Sequence, residues 1–148
     1  MAPSLQRDVP FERTIDGDGK TDIGVWRPST GTWFVLASAQ GAASLAWGSS
    51  TDVPLPGDYD GDGNVDVAVY RPSTGTWLIF GSSVGSASIA WGSSVDDAVP
   101  ADYDGDGKAD IAVFRPGTGT WNIIQSATST VLTIGWGISG DKPVSSPH

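Results

Sequence analysis

Apolar residues in this chain come in short runs broken by turn residues. Downstream of Asp52 the runs VPLPGDY, VDVAVYRP, TWLIFGS and SASIAWG follow one another, each rich in β-branched or aromatic side chains. Their length and composition predict four short strands rather than helices. The turns between them fall at 73–76 (STGT), 81–86 (GSSVGS) and 92–97 (GSSVDD). Asp66 to Arg71 alternates, with Val67 and Val69 on one face and Ala68 and Tyr70 on the other. Apolar residues on both faces predict a small sheet that is covered on both sides.

The same pattern returns at a fixed offset. Arg27, Arg71 and Arg115 lie 44 residues apart, as do Trp33, Trp77 and Trp121. Trp47 and Trp91 keep that spacing, but Trp136 follows after 45, so the third copy gains one residue late. The units are 8–51, 52–96 and 97–140, preceded by a tail at 1–7 and followed by a segment at 141–148 that opens a fourth repeat with DKPV. Four antiparallel strands every 44 residues match a propeller blade, which buries its faces only against its neighbours. The predicted fold is therefore all-β, a β-propeller with three four-stranded blades per chain. Propellers typically close with about four to eight blades. The expectation is a ring closed by homo-oligomerisation, two chains giving about six blades, or a fragment of a longer propeller.

Between the first and second predicted strands of each unit lies the densest charge. The second unit reads Asp58-Tyr-Asp60-Gly-Asp62-Gly63-Asn64-Val-Asp66, and the third Asp102-Tyr-Asp104-Gly-Asp106-Gly107-Lys108-Ala-Asp110. Carboxylates fall at loop positions 1, 3, 5 and 9, with glycine at 6. Short acidic side chains at alternate positions of a curled loop converge, and the backbone carbonyl at position 7, Asn64 or Lys108, adds an oxygen. Carboxylates gathered in this way repel one another unless a cation sits among them. A flexible all-oxygen cage suits calcium better than zinc or a strictly octahedral magnesium. The first loop departs from the pattern: Thr14 holds position 1 ahead of Asp16, Asp18 and Asp22, with Lys20 at position 7. Three loops predict about three calcium ions per chain. An EF-hand does not fit, because position 12 is Val69 or Val113 instead of glutamate, and strand patterns flank the loop. The metal-free alternative is a set of Asp-Gly hairpin turns, and three loops in register weigh against it.

With these loops followed by VDVAVYRPSTGTW or ADIAVFRPGTGTW, the chain resembles the FG-GAP/VCBS repeat family over nearly its whole length. The resemblance implies integrin-α-like propeller blades with calcium in the loop joining the first two strands of each. It carries Asp58, Asp60, Asp62 and Asp66, then Asp102, Asp104, Asp106 and Asp110, as ligands, and in the first unit Asp16, Asp18 and Asp22. Propellers of this kind serve as lectins, adhesion heads and accessory modules of secreted enzymes, so fold alone leaves function open.

The segment RPSTGTW, Arg27 to Trp33 and Arg71 to Trp77, recurs with Gly117 for serine at Arg115 to Trp121. Its proline ends a strand and its Ser/Gly-Thr-Gly supplies a tight turn. Structurally, the arginine pairs with a nearby acid or carbonyl and the tryptophan packs between blades. Functionally, Arg27, Arg71 and Arg115 with Trp33, Trp77 and Trp121, together with Trp47, Trp91 and Trp136, would line repeated sugar-binding grooves.

Composition narrows the functions. A net charge of −9 disfavours nucleic acid as a partner. Eleven of the 17 acids lie in the three loops, leaving six against eight bases, so the acidity is concentrated on one rim. Cysteine is absent, and the single histidine is His148, so no nucleophile, base and orienting group assemble from the sequence. Asp96 and Asp97 read as a solvated turn rather than a glycosidase pair. No apolar run is long enough for membrane insertion, and MAPSLQRDVP lacks the pattern of a signal peptide. The expectation is a non-enzymatic, calcium-stabilised binding module at or outside the cell surface. It would recognise glycans multivalently, or alternatively mediate protein adhesion or act as a self-assembling scaffold.

Overall fold

The computed structural model describes residues 9–13, 22–37, 41–81 and 85–144. They form twelve strands in three antiparallel sheets. The first sheet runs β1 (Val9–Arg13), β2 (Asp22–Arg27), β3 (Thr32–Ala37) and β4 (Gly41–Ala46). The second is β5 (Val53–Pro54), β6 (Val67–Arg71), β7 (Thr76–Gly81) and β8 (Gly85–Ala90). The third is β9 (Asp97–Ala98), β10 (Ile111–Arg115), β11 (Thr120–Gln125) and β12 (Thr130–Gly135). Each strand pairs with the next in sequence, so every sheet is a simple meander. The opening strands of the second and third sheets are short because Pro54, Pro56 and Pro100 bring no N–H to the ladder. In the second sheet, pairing continues between the two prolines at Leu55 N to Ala68 O (2.8 Å) and past them at the bridge between Gly57 and Asp66.

The predicted propeller ring is corrected by this arrangement. The three sheets are open, and none closes into a ring or barrel. Strand pairing stays within each unit, so every sheet keeps both its edges, and one sheet meets the next through the side chains of its faces. The repeat length and strand count are those of a blade, but closure is a property of how sheets are arranged, which the local pattern does not encode.

The alternation in β6 sets the packing. Ala68 and Tyr70, opposite Ile79 and Trp77 on β7, face the third sheet and share a core with Ile111 and Val113. Val69, opposite Leu78, faces the first sheet and packs with Trp26 and Trp33. The middle sheet is thus covered on both faces, as its two-sided apolar pattern requires. A third cluster, Val99, Ala112, Phe114 and Ile123, belongs to the third sheet alone, with Trp121 and Leu132 beside it.

The hairpin between β6 and β7 shows why its glycine is needed. Gly75 adopts φ +64° and a Cβ there would collide with the Gly92 carbonyl oxygen. That close approach lets Trp91 N donate to Gly75 O at 2.9 Å, fastening the end of β8 to the hairpin. The extra residue of the third unit lies in the turn between β11 and β12, where Ser129 has φ +58°.

Candidate metal loops and the arginine and tryptophan contacts

Each acidic loop of the second and third units is folded by its own backbone. In the second, the Asp58 carboxylate accepts Gly61 N at 2.7 Å and Gly63 N at 3.0 Å. Asp60 takes Asp62 N at 3.2 Å, and Asp62 takes Asn64 N at 2.9 Å. The loop therefore curls around its carboxylates, and side-chain oxygens of Asp58, Asp60 and Asp62 come within 4.8 Å of one another. In the third unit the trio gathered in this way is Asp102, Asp104 and Asp110. These two carboxylate clusters could hold a divalent cation: the donors are all oxygen, they converge, and carboxylate oxygens that already accept one N–H keep further lone pairs.

The last carboxylate of each loop has a second task. Asp66 Oδ2 accepts Tyr59 N at 2.7 Å, and Asp110 Oδ2 accepts Tyr103 N at 2.7 Å. Asp110 is fully buried and its Oδ1 takes Ser126 N at 2.8 Å, tying the loop to the turn between β11 and β12. From the same turn, Ser126 Oγ donates to Asp106 Oδ2 at 2.7 Å and Ala127 N to Asp104 Oδ2 at 2.9 Å. Asn64 is half-buried in its loop, whereas Lys108 is exposed and lays its aliphatic stem against Gly61 of the preceding loop. Ala109 N donates to Asp58 O at 2.8 Å, so the two loops are joined directly. Of the first loop, Thr14, Asp16, Asp18 and Lys20 lie outside the described residues, while Asp22 opens β2 and is buried.

Electrostatics reflect this crowding. Burial pushes the Asp58 carboxyl above its ordinary value, against the pull of the Gly63 and Gly61 amides, and the charges of Asp66 and Asp62 add to the rise. At Asp104 the Ala127 amide favours the charged form, but desolvation and the neighbouring Asp106 and Asp110 together outweigh it, so its pKa is raised. Asp106 moves the other way, held down first by the Ser126 hydroxyl and then by Lys108 N. A cation among these groups would favour the ionised form of each.

The predicted arginine contacts resolve into bidentate pairs. Arg71 Nε meets Asp52 Oδ1 at 2.8 Å and Arg115 Nε meets Asp96 Oδ1 at 2.8 Å, with Nη2 on the second oxygen in each case. Asp96 is thus not a solvated turn residue but a buried carboxylate. Arg27 is exposed, with its guanidinium carbon 4.5 Å from the centroid of the Phe34 ring.

The tryptophans form two sets. Trp33 and Trp77 are 1% and 0% exposed and donate Nε1–H to the carbonyls of Trp47 and Trp91, each at 3.0 Å. Trp121 makes the same bond to Trp136 O at 3.1 Å. Trp47 and Trp91 reach forward into the next sheet, donating to Leu78 O at 3.0 Å and Asn122 O at 3.1 Å. Trp47 also stacks on Phe80, with centroids 5.3 Å apart. Trp136, the third of this kind, is 77% exposed.

Two sets of residues were not given their structural roles by sequence. Asp52 and Asp96 recur at the arginine period, a signal that could have paired them. Tyr59 and Tyr103, both at loop position 2, donate their hydroxyls back to Leu55 O and Val99 O at 2.8 and 2.7 Å, bracing the loop base. Their presence at one position in two loops was the available clue.

Residues 58–113 match the family model for the FG-GAP-like repeat, a span shorter than half the chain. The match begins at the first aspartate of the second loop and ends in β10, so it contains one FG-GAP-type stretch and both carboxylate clusters. A repeat of this type is a structural and adhesive unit rather than a catalytic one. No curated protein and no solved structure matches the chain significantly. Among the described residues, no helix is long and apolar enough to cross a membrane.

Proposed function

We propose that the chain is a calcium-stabilised adhesive module that works at or outside the cell surface and takes a protein as its partner. The observation that carries this reading is the pair of convergent carboxylate clusters, Asp58 with Asp60 and Asp62, and Asp102 with Asp104 and Asp110, at equivalent loops of successive sheets. Calcium is the cation that an irregular, all-oxygen, carboxylate-rich loop suits best. Affinities of order 10⁻⁴ to 10⁻³ M, as in extracellular modules, match calcium levels outside cells. The protein-adhesion reading stands ahead of multivalent glycan recognition because the repeated indoles of Trp33 and Trp77 are enclosed, leaving no ring face for a sugar.

Calorimetric titration of calcium into the metal-stripped chain tests the cation. Saturable heat, together with a melting temperature that rises with calcium and falls with chelator, is the expected result. Asp60→Asn combined with Asp104→Asn should remove both effects. No heat and an unchanged melting curve would overturn the calcium reading. Separately, strong selective binding on a broad glycan array would overturn the preference for a protein partner.

A further inference from the structure

The contact between successive sheets is made twice within the described residues. Trp47 leaves the first sheet, donates to Leu78 O and stacks on Phe80, which stands opposite Val67 in the register. Trp91 leaves the second sheet, donates to Asn122 O and packs in the core that Ile111 and Ile124, also register partners, share. Each junction thus joins an indole after the last strand of one sheet to a carbonyl and an apolar pair on the next.

Each half of that junction is also present once without its complement among the described residues. After β12, Trp136 projects from the third sheet 77% exposed, and its Nε1–H meets no acceptor among the described residues. On the first sheet, Ile23 and Leu36 are register partners at the place of Val67 with Phe80 and of Ile111 with Ile124. They are 59% and 53% exposed. The Phe34 carbonyl occupies the position of Leu78 and Asn122.

We propose that the third sheet of one copy of this chain docks on the first sheet of a second copy, continuing the row of open sheets end to end. Trp136 donates its indole N–H to Phe34 O of the second copy and covers Leu36 and Ile23. The surface is heterologous: two different patches of the chain meet, so each copy uses one end to receive and the other to dock. The match is specific because the chain itself shows twice what such an indole binds. Exposed apolar residues of this size clustered at each end are the kind of surface that association removes from water.

Sedimentation of the full chain at up to about 100 μM, enough to populate an interface of micromolar affinity, reads the association. The expected mass rises with concentration above the 15.3 kDa of one chain. Trp136→Glu and Leu36→Glu each disable one end, and both side chains are exposed, so each variant should fold and sediment as a monomer. Mixing the two variants should restore a complex of two chains, because each supplies the end the other lacks. A monomeric parent chain at the highest concentration overturns the proposal, and so does a mixture that fails to complement. A variant that still associates like the parent would place the contact elsewhere and overturn it as well.

Discussion

Arg71 grips Asp52 with two parallel hydrogen bonds, Nε to Oδ1 at 2.8 Å and Nη2 to Oδ2 at 2.9 Å, while the Asp52 side chain is wholly enclosed. The same carboxylate accepts Ser49 N at 2.8 Å, so one buried charge holds both the end of β6 and the turn that leads into β5. The third unit repeats the arrangement with Arg115, Asp96 and Ser93.

Removing the arginine leaves that carboxylate buried without its counter-ion. Arg71→Ala should cost about 2 kcal/mol, below the range for a fully buried pair because the guanidinium is partly solvated. Arg71→Lys should recover little, since an ammonium cannot make the forked contact. Urea denaturation of both variants and of Asp52→Asn measures this. The double change should cost less than the two single changes added together.

Gly75 and Gly85 both have positive φ, but only Gly75 faces a backbone carbonyl where a Cβ would stand. Gly85→Ala should cost about 1 kcal/mol, the penalty of a left-handed conformation alone. Gly75→Ala should cost clearly more, because the hairpin must also move away from Gly92. Equal melting temperatures for the two variants would contradict the steric part of the argument.

Ser129 is the non-glycine residue with positive φ among the described residues. Ser129→Gly removes the strain of that conformation at the cost of a more flexible unfolded chain. The net gain should be about 0.5 to 1 kcal/mol, read as a higher melting temperature.

Asp110 and Asp104 should separate under chelation. Asp110→Asn turns one acceptor oxygen into an amide donor among three backbone N–H groups. It should destabilise the chain by about 2 kcal/mol even when calcium is removed. Asp104→Asn should alter stability mainly when calcium is present. Melting each variant with calcium and with chelator checks the division of roles.

Much of the fold was legible because its information is local. The 44-residue period, the four strands of each unit and the two-faced alternation around Val69 and Tyr70 follow from pattern alone. The open arrangement was not legible, and a closed ring was expected in its place, because no residue pattern states how far successive sheets turn relative to one another. The loops were readable as carboxylate clusters, but counting positions cannot show that the third member gathered is Asp62 in one loop and Asp110 in the other, or that Asp66 and Asp110 hold the tyrosine amide at the loop base. Nor could it show that Trp77 is sealed while Trp136 is open, since that depends on whether another sheet lies beyond.

The forward-reaching tryptophans have a consequence for how such a chain grows. Each spans the same 31 residues from indole to acceptor, whichever junction it serves. Nothing in a junction depends on sheets farther along, so adding a unit creates no contact of greater sequence separation and no new demand on folding speed. A tandem duplication of one 44-residue segment would therefore arrive with its attachment already built, both to the unit before it and to the unit after.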